Sequence, residues 1–129
     1  MTSTISSFRD LAVWQEAHKL ALMIYKATTN FPVTEQYGLT SQMRRAAVSV
    51  PANIVEGFKR RSWQEKLRFY NIAEASLEEL KYFLILASDL SYITQKEGLE
   101  MQAELVGRLL FRFSEGAKQN RQRDNGPNP

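Results

Sequence analysis

The sequence predicts an all-α protein, an antiparallel up-down-up-down four-helix bundle. Four long segments carry apolar residues at intervals of three and four, the spacing that places side chains on one face of an α-helix. No run of alternating β-branched residues lies between turn signals, so no strand is expected. Helices of about 22–27 residues are roughly 33–40 Å long, and short loops between them favour antiparallel neighbours.

The first predicted helix covers residues 8–29. Ser7 and Asp10 resemble a capping box, with Asp where Glu or Gln is usual, and the sequence Asn30-Phe31-Pro32 ends the helix. One face of this helix is expected to line the core. The residues that share this face are Val13, Trp14, Ala17, Leu20, Ala21, Ile24 and Tyr25.

The second predicted helix, residues 35–58, contains the unusual stretch Ser49–Gly57, SVPANIVEG. Pro51 has no backbone donor and its ring crowds the carbonyl of Ala47, so a kink is predicted. The alternative is a break at Val50, with Pro51 in the first turn of a new helix. We favour the kink because the helical periodicity continues to the end of the segment.

This second helix has two apolar faces, one more than a single bundle requires. Val48, Pro51 and Val55 lie on the far side from the main core face. A helix that is apolar on two sides is normally buried on both, so these three residues predict the interface of a homo-oligomer. The alternative is that the three side chains are exposed to water, which is common for scattered apolar residues.

A polar stripe separates the two apolar faces on one side of the helix. It consists of Gln42, Arg45, Ser49, Asn53 and Glu56. We favour the interpretation that the stripe is a hydrogen-bonded seam between helices or subunits, which would fix their register. The alternative is chemical, with Glu56 as an acid/base group and Arg45 as an anion clamp. A lone carboxylate without a nearby nucleophile specifies no reaction.

The third predicted helix, residues 63–89, and the fourth, residues 95–118, both begin at a capping box. The two boxes are Ser62-Trp-Gln-Glu65 and Thr94-Gln-Lys-Glu97. After residue 118 the chain contains Gly, Pro, Asn and charged residues, which bury too little to become ordered. The predicted organisation is one four-helix domain, residues 1–118, followed by a disordered tail, residues 119–129.

Positive charge is concentrated between the second and third helices, although the formal net charge of the chain is only +3. Residues 59–68 hold five cations and one acid, a net charge of +4. Such a cluster suits a polyanion, but it also suits a solvated helix junction. The residues predicted to bind RNA or DNA, with little sequence specificity, are Arg44, Lys59, Arg60, Arg61, Lys66 and Arg68.

Two neighbouring features have alternative interpretations. Trp63 either stacks on a base or, as is more common just inside a capping box, packs onto the core. The acidic outer face of the third helix, with Glu74 and Glu78, either docks a basic protein or is merely solvated. The alternative function is therefore a protein–protein adaptor that makes no direct contact with nucleic acid.

Catalysis is not expected. The chain has no cysteine, which excludes a disulfide, a thiolate metal site and a cysteine nucleophile. His18, the one histidine, has no acid at the spacing of a Glu-x-x-His metal motif, and no nucleotide-binding glycine loop or hydrolase motif occurs. No metal, cofactor or small-molecule substrate is predicted. Because a signal-peptide apolar region and an apolar run of about 20 residues are both missing, we expect a cytoplasmic protein without membrane contact.

Several segments resemble one family of four-helix bundles, the 23S rRNA intervening-sequence proteins. The stretch SVPANIVEG, together with the preceding Tyr37–Ala46, YGLTSQMRRA, resembles the signature of this family. Phe8–Gln15, FRDLAVWQ, and Phe69–Leu80, FYNIAEASLEEL, resemble the same family. The resemblance covers about residues 8–113, and Val50 and Val55 stand where the family more often has isoleucine and alanine.

The resemblance implies a bundle, as the periodicity does. Some members are encoded within insertions of bacterial large-subunit rRNA genes. Others resemble the accessory protein of diversity-generating retroelements, a homopentamer whose basic surface engages nucleic acid and a reverse transcriptase. The resemblance thus implies a homo-oligomer, with a pentamer as the suggested size, that contacts RNA or DNA. Many members have no known role, so no particular target is implied.

Overall fold

In a computed structural model, which describes residues 5–124, four α-helices form a bundle and this part of the chain contains no strand. The helices are α1 (Ala12–Thr28), α2 (Leu39–Lys59), α3 (Trp63–Asp89) and α4 (Glu97–Asp124). Single turns of 3-10 helix at Phe8–Asp10 and Val33–Glu35 precede α1 and α2. The predicted all-α four-helix class is confirmed.

Each helix contacts two others in a closed cycle. α1 packs against α2 and α4, and α3 packs against α2 and α4, whereas in the described range no Cα atoms of the diagonal helix pairs lie within 8 Å of each other. Ser49 of α2 contacts Ser76 of α3, and Tyr70 of α3 contacts Phe113 of α4. Antiparallel neighbours would bring these residues together. The complete up-down-up-down course of the chain stays a prediction.

Side-chain caps explain where α2, α3 and the first 3-10 turn begin. The Ser62 hydroxyl accepts a hydrogen bond from the Glu65 N–H at 3.1 Å, so α3 has the bounds that the capping box predicts. Ser7 instead caps the 3-10 turn, and α1 begins later than predicted, at Ala12. α2 also begins later, at Leu39, whose N–H is capped by the side-chain carboxylate of Glu35 at 3.2 Å.

The two ends of α4 differ from the sequence prediction. α4 begins at Glu97, with the Lys96 carbonyl accepting the Glu100 N–H at 2.9 Å, so the predicted Thr94 cap is wrong. The predicted end at residue 118 is also wrong, because the helix continues to Asp124. Residues 119–124 contain neither Gly nor Pro and include four good helix formers, two Gln and two Arg, so no breaker stops the helix there. The rest of the predicted tail, residues 125–129, lies outside the described residues.

Pro51 does not lie on an outward face, which corrects one predicted interface residue. It is buried inside the subunit together with Thr40 and Ala47, which lie on the same side of α2. The physical reason is that α2 packs against α1 on one side and α3 on the other, so a wide arc of its surface is buried by its own bundle. Val48 remains exposed and Val55 is half-buried.

α2 is continuous from Leu39 to Lys59 with Pro51 in its interior. The alternative of a break at Val50 is therefore wrong, whereas a kink at Pro51 stays a prediction. The carbonyl of Ala47 loses its helical donor to Pro51, and the nearby Asn53 side chain donates to the Ser49 carbonyl at 2.7 Å instead. The polar residues of this stretch thus serve purposes other than repairing the proline site.

Gly57 allows α2 and α3 to approach closely near the end of α2. A Cβ atom at Gly57 would lie 2.5 Å from Cε1 of Tyr70, closer than real Cβ atoms approach, and 3.2 Å from the Lys66 carbonyl oxygen, which is a tight contact. Tyr70 is almost fully buried, and its ring centroid lies 4.7 Å from that of Phe113. Burial raises the pKa of Tyr70 to about 12. The glycine is therefore required by packing.

We expect Gly57→Ala to lower the free energy of unfolding by about 1–3 kcal/mol, because the new methyl group overpacks against Tyr70. Gly116→Ala is the matched control, since no atom lies within 4 Å of a Cβ at that position in α4. The control should gain up to about 1 kcal/mol from the higher helix propensity of alanine. Urea unfolding of both variants measures the difference, and equal stability of Gly57→Ala and the parent would contradict this packing role.

Candidate functional site

The predicted basic cluster lies where α2 ends and α3 begins. The extended backbone at Arg60 ends α2 after Lys59, and three residues later α3 begins at Trp63. This short connection holds the five cations of residues 59–68 at one end of the bundle. Their contacts divide them into side chains that stabilise the junction and side chains that are free to bind another molecule.

Lys66 belongs to the stabilising group. Its ammonium donates hydrogen bonds to the Phe58 carbonyl at 2.7 Å and to the Gly57 carbonyl at 3.2 Å. These are carbonyls of the last turn of α2, which have no partner within the helix and attract a cation. Partial burial lowers the pKa of Lys66. Lys66 therefore joins α3 to the C-terminal end of α2.

Arg60 and Arg68 enclose an aromatic ring at the surface. Their guanidinium carbons lie 4.5 Å and 4.8 Å from the ring centroid of Phe69. Arg60 also lies 3.6 Å from Glu56, and Arg68 lies 3.4 Å from Glu65. Such exposed ion pairs contribute little to stability, and both guanidinium groups still face solvent.

Lys59 and Arg61 are the free cations of the junction. Both are exposed, and neither has an acidic partner within 4 Å among the described residues. An unpaired cation can contact a phosphate without first losing an ion pair. Lys59 and Arg61 are therefore the junction residues best suited to hold a polyanion.

Arg44 is not brought together with the other predicted binding residues. Its Nε donates to the Thr28 hydroxyl at 2.8 Å and its Nη2 donates to the Tyr25 carbonyl at 3.3 Å, at the end of α1. Fifteen residues of α2 separate it from Lys59, which is roughly 22 Å along a helix. Arg44 thus stabilises the C-terminal end of α1, as Lys66 does for α2.

The last turns of α4 add cations that the sequence analysis did not place at this site. A groove of about 850 Å³ between α3 and α4 is lined by Arg68, Lys118 and Arg121, with Glu65 and Glu74 among the other lining residues. Lys118 Nζ lies 2.9 Å from a Glu115 carboxylate oxygen, and this hydrogen bond raises the pKa of Lys118. A sequence signal for these residues exists, because an antiparallel pairing of the third and fourth helices, as predicted, would bring residue 121 level with Trp63. Because residues 119–129 were predicted to be disordered, Arg121 was not assigned to a helix or to this site.

Only part of the predicted polar stripe forms a seam between helices. The Ser49 and Ser76 hydroxyls are 2.7 Å apart across α2 and α3, and Asn53 Nδ2 donates to the Ser49 hydroxyl at 3.0 Å. Gln42 and Arg45 are exposed. Glu56 pairs with Arg60. The stripe therefore fixes the α2–α3 register at its centre, and its ends face solvent.

Residues 5–124 contain no group of three or more His, Asp or Glu side chains that could hold a metal ion. His18 is exposed and stacks on Trp14, with ring centroids 5.0 Å apart and planes 6° from parallel. In the same range no helix is long and apolar enough to cross a membrane.

Comparisons with known proteins agree with this architecture. The model of the family described as 23S rRNA-intervening sequence protein matches residues 9–111. A solved structure from Bacteroides thetaiotaomicron, a protein of unknown function from the S23 ribosomal protein family, is similar with a TM-score of 0.71 and 25% sequence identity. The alignment covers 80% of this chain and 98% of that chain. No curated protein matches.

The contacts of the junction predict different effects for two lysines. Lys66→Met keeps an apolar side chain but removes the cap of α2, so we expect the free energy of unfolding to fall by about 1–3 kcal/mol. Lys59→Met, at an exposed position, should change it by less than about 0.5 kcal/mol. Denaturant unfolding of the two variants tests this assignment. Similar stability of the two would show that Lys66 does not hold the junction.

Proposed function

From the membership of this chain in the 23S rRNA-intervening sequence protein family, we propose a non-enzymatic, oligomeric four-helix bundle protein that binds RNA or DNA with little sequence specificity. The observation that carries the proposal is that Lys59 and Arg61 have no acidic partner within residues 5–124 and lie beside the exposed Arg60 and Arg68. The family description, which refers to rRNA, agrees with a nucleic-acid role.

The charge at this end of the bundle supports phosphate binding. Residues 59–68 carry a net charge of +4, and residues 118–124 add three cations and one acid, a net charge of +2. Contacts to phosphates release counterions and do not depend on the base sequence. Binding should therefore weaken steeply as salt increases and should differ little between sequences.

We propose that the outward face of α2 forms the homo-oligomer interface. Val48 is 42% exposed and Val55 is half-buried, so apolar surface remains there although Pro51 is used inside the subunit. Leu22 on α1 is 58% exposed. With α1 and α2 antiparallel, as predicted, the hydrogen bond between Arg44 and Thr28 brings Leu22 close to the level of Val48 along the bundle. Each added subunit would contribute another copy of the basic end, and the family resemblance suggests a pentamer.

A protein–protein adaptor is the second candidate. Tyr82 and Ile85 are 57% and 59% exposed on α3, near the exposed acids Glu78 and Glu79. Aromatic and aliphatic side chains beside acidic residues suit a basic protein partner. Recovery of a basic protein in a nucleic-acid-free complex, with no RNA or DNA binding at low salt, would favour the adaptor.

The nucleic-acid proposal predicts a specific loss in a double variant. Lys59→Ala with Arg61→Ala should weaken binding of RNA and DNA roughly tenfold or more at low salt and reduce the salt slope by about 2, since two phosphate contacts are lost. Lys19→Ala with Lys26→Ala removes the same charge from exposed positions on α1 and is the control. Fluorescence anisotropy at several salt concentrations measures both. Equal losses in the two variants would indicate a general charge effect, and no binding by the parent at low salt would refute the proposal.

The oligomer proposal predicts a particle larger than one 14.9 kDa chain. Val48→Asp should reduce the particle to one chain, because a charge cannot be buried there without a partner. Val33→Asp is the control, since Val33 is 84% exposed before α2. Light scattering coupled to gel filtration gives the masses. A parent protein with the mass of one chain in dilute solution would rule out the assembly.

A further inference from the structure

An aromatic cavity lies at the same end of the bundle as the basic cluster. Its volume is about 360 Å³, within the range of small-ligand sites. Four aromatic side chains line it: Phe58 from the end of α2, Trp63 and Tyr70 from the first turns of α3, and Phe113 from α4. Such a set of rings offers flat apolar surface to a planar group.

The cavity is not filled by the core of the bundle. Phe58 and Phe113 pack against the core cluster, and Trp63 is half-buried at the wall of the cavity. Gly116 of α4 also lines the cavity, and no atom lies within 4 Å of a Cβ built there. Space thus remains beside Trp63 and Gly116.

Polar groups stand at the wall of this cavity. The Lys66 ammonium lies 5.6 Å from the Trp63 ring centroid and 5.7 Å from that of Phe58. Two of its three N–H groups bind the carbonyls of α2, which leaves one donor. Arg112 adds a second cation and Asn120 adds an amide that can both donate and accept. The cavity combines stacking surface with positive charge and an amide.

We propose that this cavity binds one unpaired base of a single-stranded RNA or DNA, with Trp63 as the stacking platform. The inference rests on the proposed function, because the exposed Lys59 and Arg61, just before Trp63 in the chain, would hold the neighbouring phosphates. Every base has an aromatic face, so stacking tolerates any sequence. The bases of a duplex are paired and stacked within the helix, so only an unpaired base can enter. The protein should therefore prefer single strands to duplexes.

Trp63 provides a direct optical probe. The chain has two tryptophans, and Trp14→Phe leaves Trp63 as the single one. In this background, titration with a ten-nucleotide oligo(U) or oligo(dT) should quench the Trp63 fluorescence. The oligonucleotide should also bind roughly tenfold or more tightly than a ten-base-pair duplex at the same salt concentration. Thermal unfolding of the Trp14→Phe protein checks that its fold is retained.

Filling the cavity tests the site without removing charge. Gly116→Leu places a side chain in the open space and should lower single-strand affinity roughly tenfold or more, while duplex affinity stays unchanged. Gly116→Ala, which adds one methyl group, is the matched control and should retain most of the single-strand affinity. If Gly116→Leu does not fold, Trp63→Leu provides a second test, because it removes the stacking ring and should also lower single-strand affinity. The double variant Lys59→Ala with Arg61→Ala should weaken the binding of single strands and of duplexes to a similar extent.

The outcomes separate the two proposals. If single strands and duplexes bind equally, with Trp63 fluorescence unchanged, the base site is refuted while nucleic-acid binding stands. If the Gly116→Leu and Trp63→Leu proteins are folded and keep the full single-strand preference, the base site is likewise refuted. If neither ligand binds at low salt, both proposals fail.

Discussion

The contact between the α2 backbone at Gly57 and the ring of Tyr70 fixes the end of the molecule where the candidate site lies. With no side chain at Gly57, α3 passes close enough to α2 for Lys66, one turn before Tyr70, to reach the last carbonyls of α2. That approach leaves only three residues between the helices, and the Ser62 cap then starts α3 at Trp63. The exposure of Arg61 and the position of Trp63 both follow from this one constraint. A wider separation of α2 and α3 would disrupt the cap, the cation cluster and the aromatic cavity together.

The distribution of cations shows why local charge alone does not define a binding surface. Arg44 and Lys66 both bind carbonyls at helix C-termini, of α1 and α2 respectively, where a cation satisfies unpaired acceptors and interacts favourably with the helix dipole. These two side chains are occupied by the fold. Lys59 and Arg61 have no such partners, so their charge remains available to phosphates. The residues proposed to bind phosphates are the cations that remain without a partner in the fold once the helix ends have been satisfied.

The sequence predicts most of the fold because local signals and packing agree along most of the chain. α3 has its predicted bounds because Ser62 and Glu65 cap it in the expected way. The errors arise where a distant contact overrides a local pattern. Thr94 does not cap α4, because the chain leaves α3 through Ser91 in a left-handed conformation (φ 63°), with the Tyr92 N–H bonded to the Ala87 carbonyl. The Tyr92 hydroxyl donates to the Glu35 carboxylate at 3.0 Å, so this connection is also joined to the turn before α2. Pairwise contacts of this kind leave no periodic trace in a sequence.

The stretch SVPANIVEG mainly packs α2 against α3. The family signature therefore indicates a shared fold and does not by itself indicate a shared binding site. The Ser49 hydroxyl is hydrogen-bonded to that of Ser76, Asn53 donates to the same Ser49 hydroxyl, and the absence of a side chain at Gly57 leaves room for Tyr70. The polar and small residues of the stretch therefore set the packing of α2 on α3. The groups proposed to hold a base and its phosphates lie elsewhere. Gly116, Asn120 and Arg121 lie beyond residue 111, where the match to the family model ends. Relatives can therefore share the bundle and the α2–α3 junction without sharing a complete cavity. The proposed single-strand binding is accordingly expected in relatives only where their fourth helix supplies an open position beside the tryptophan.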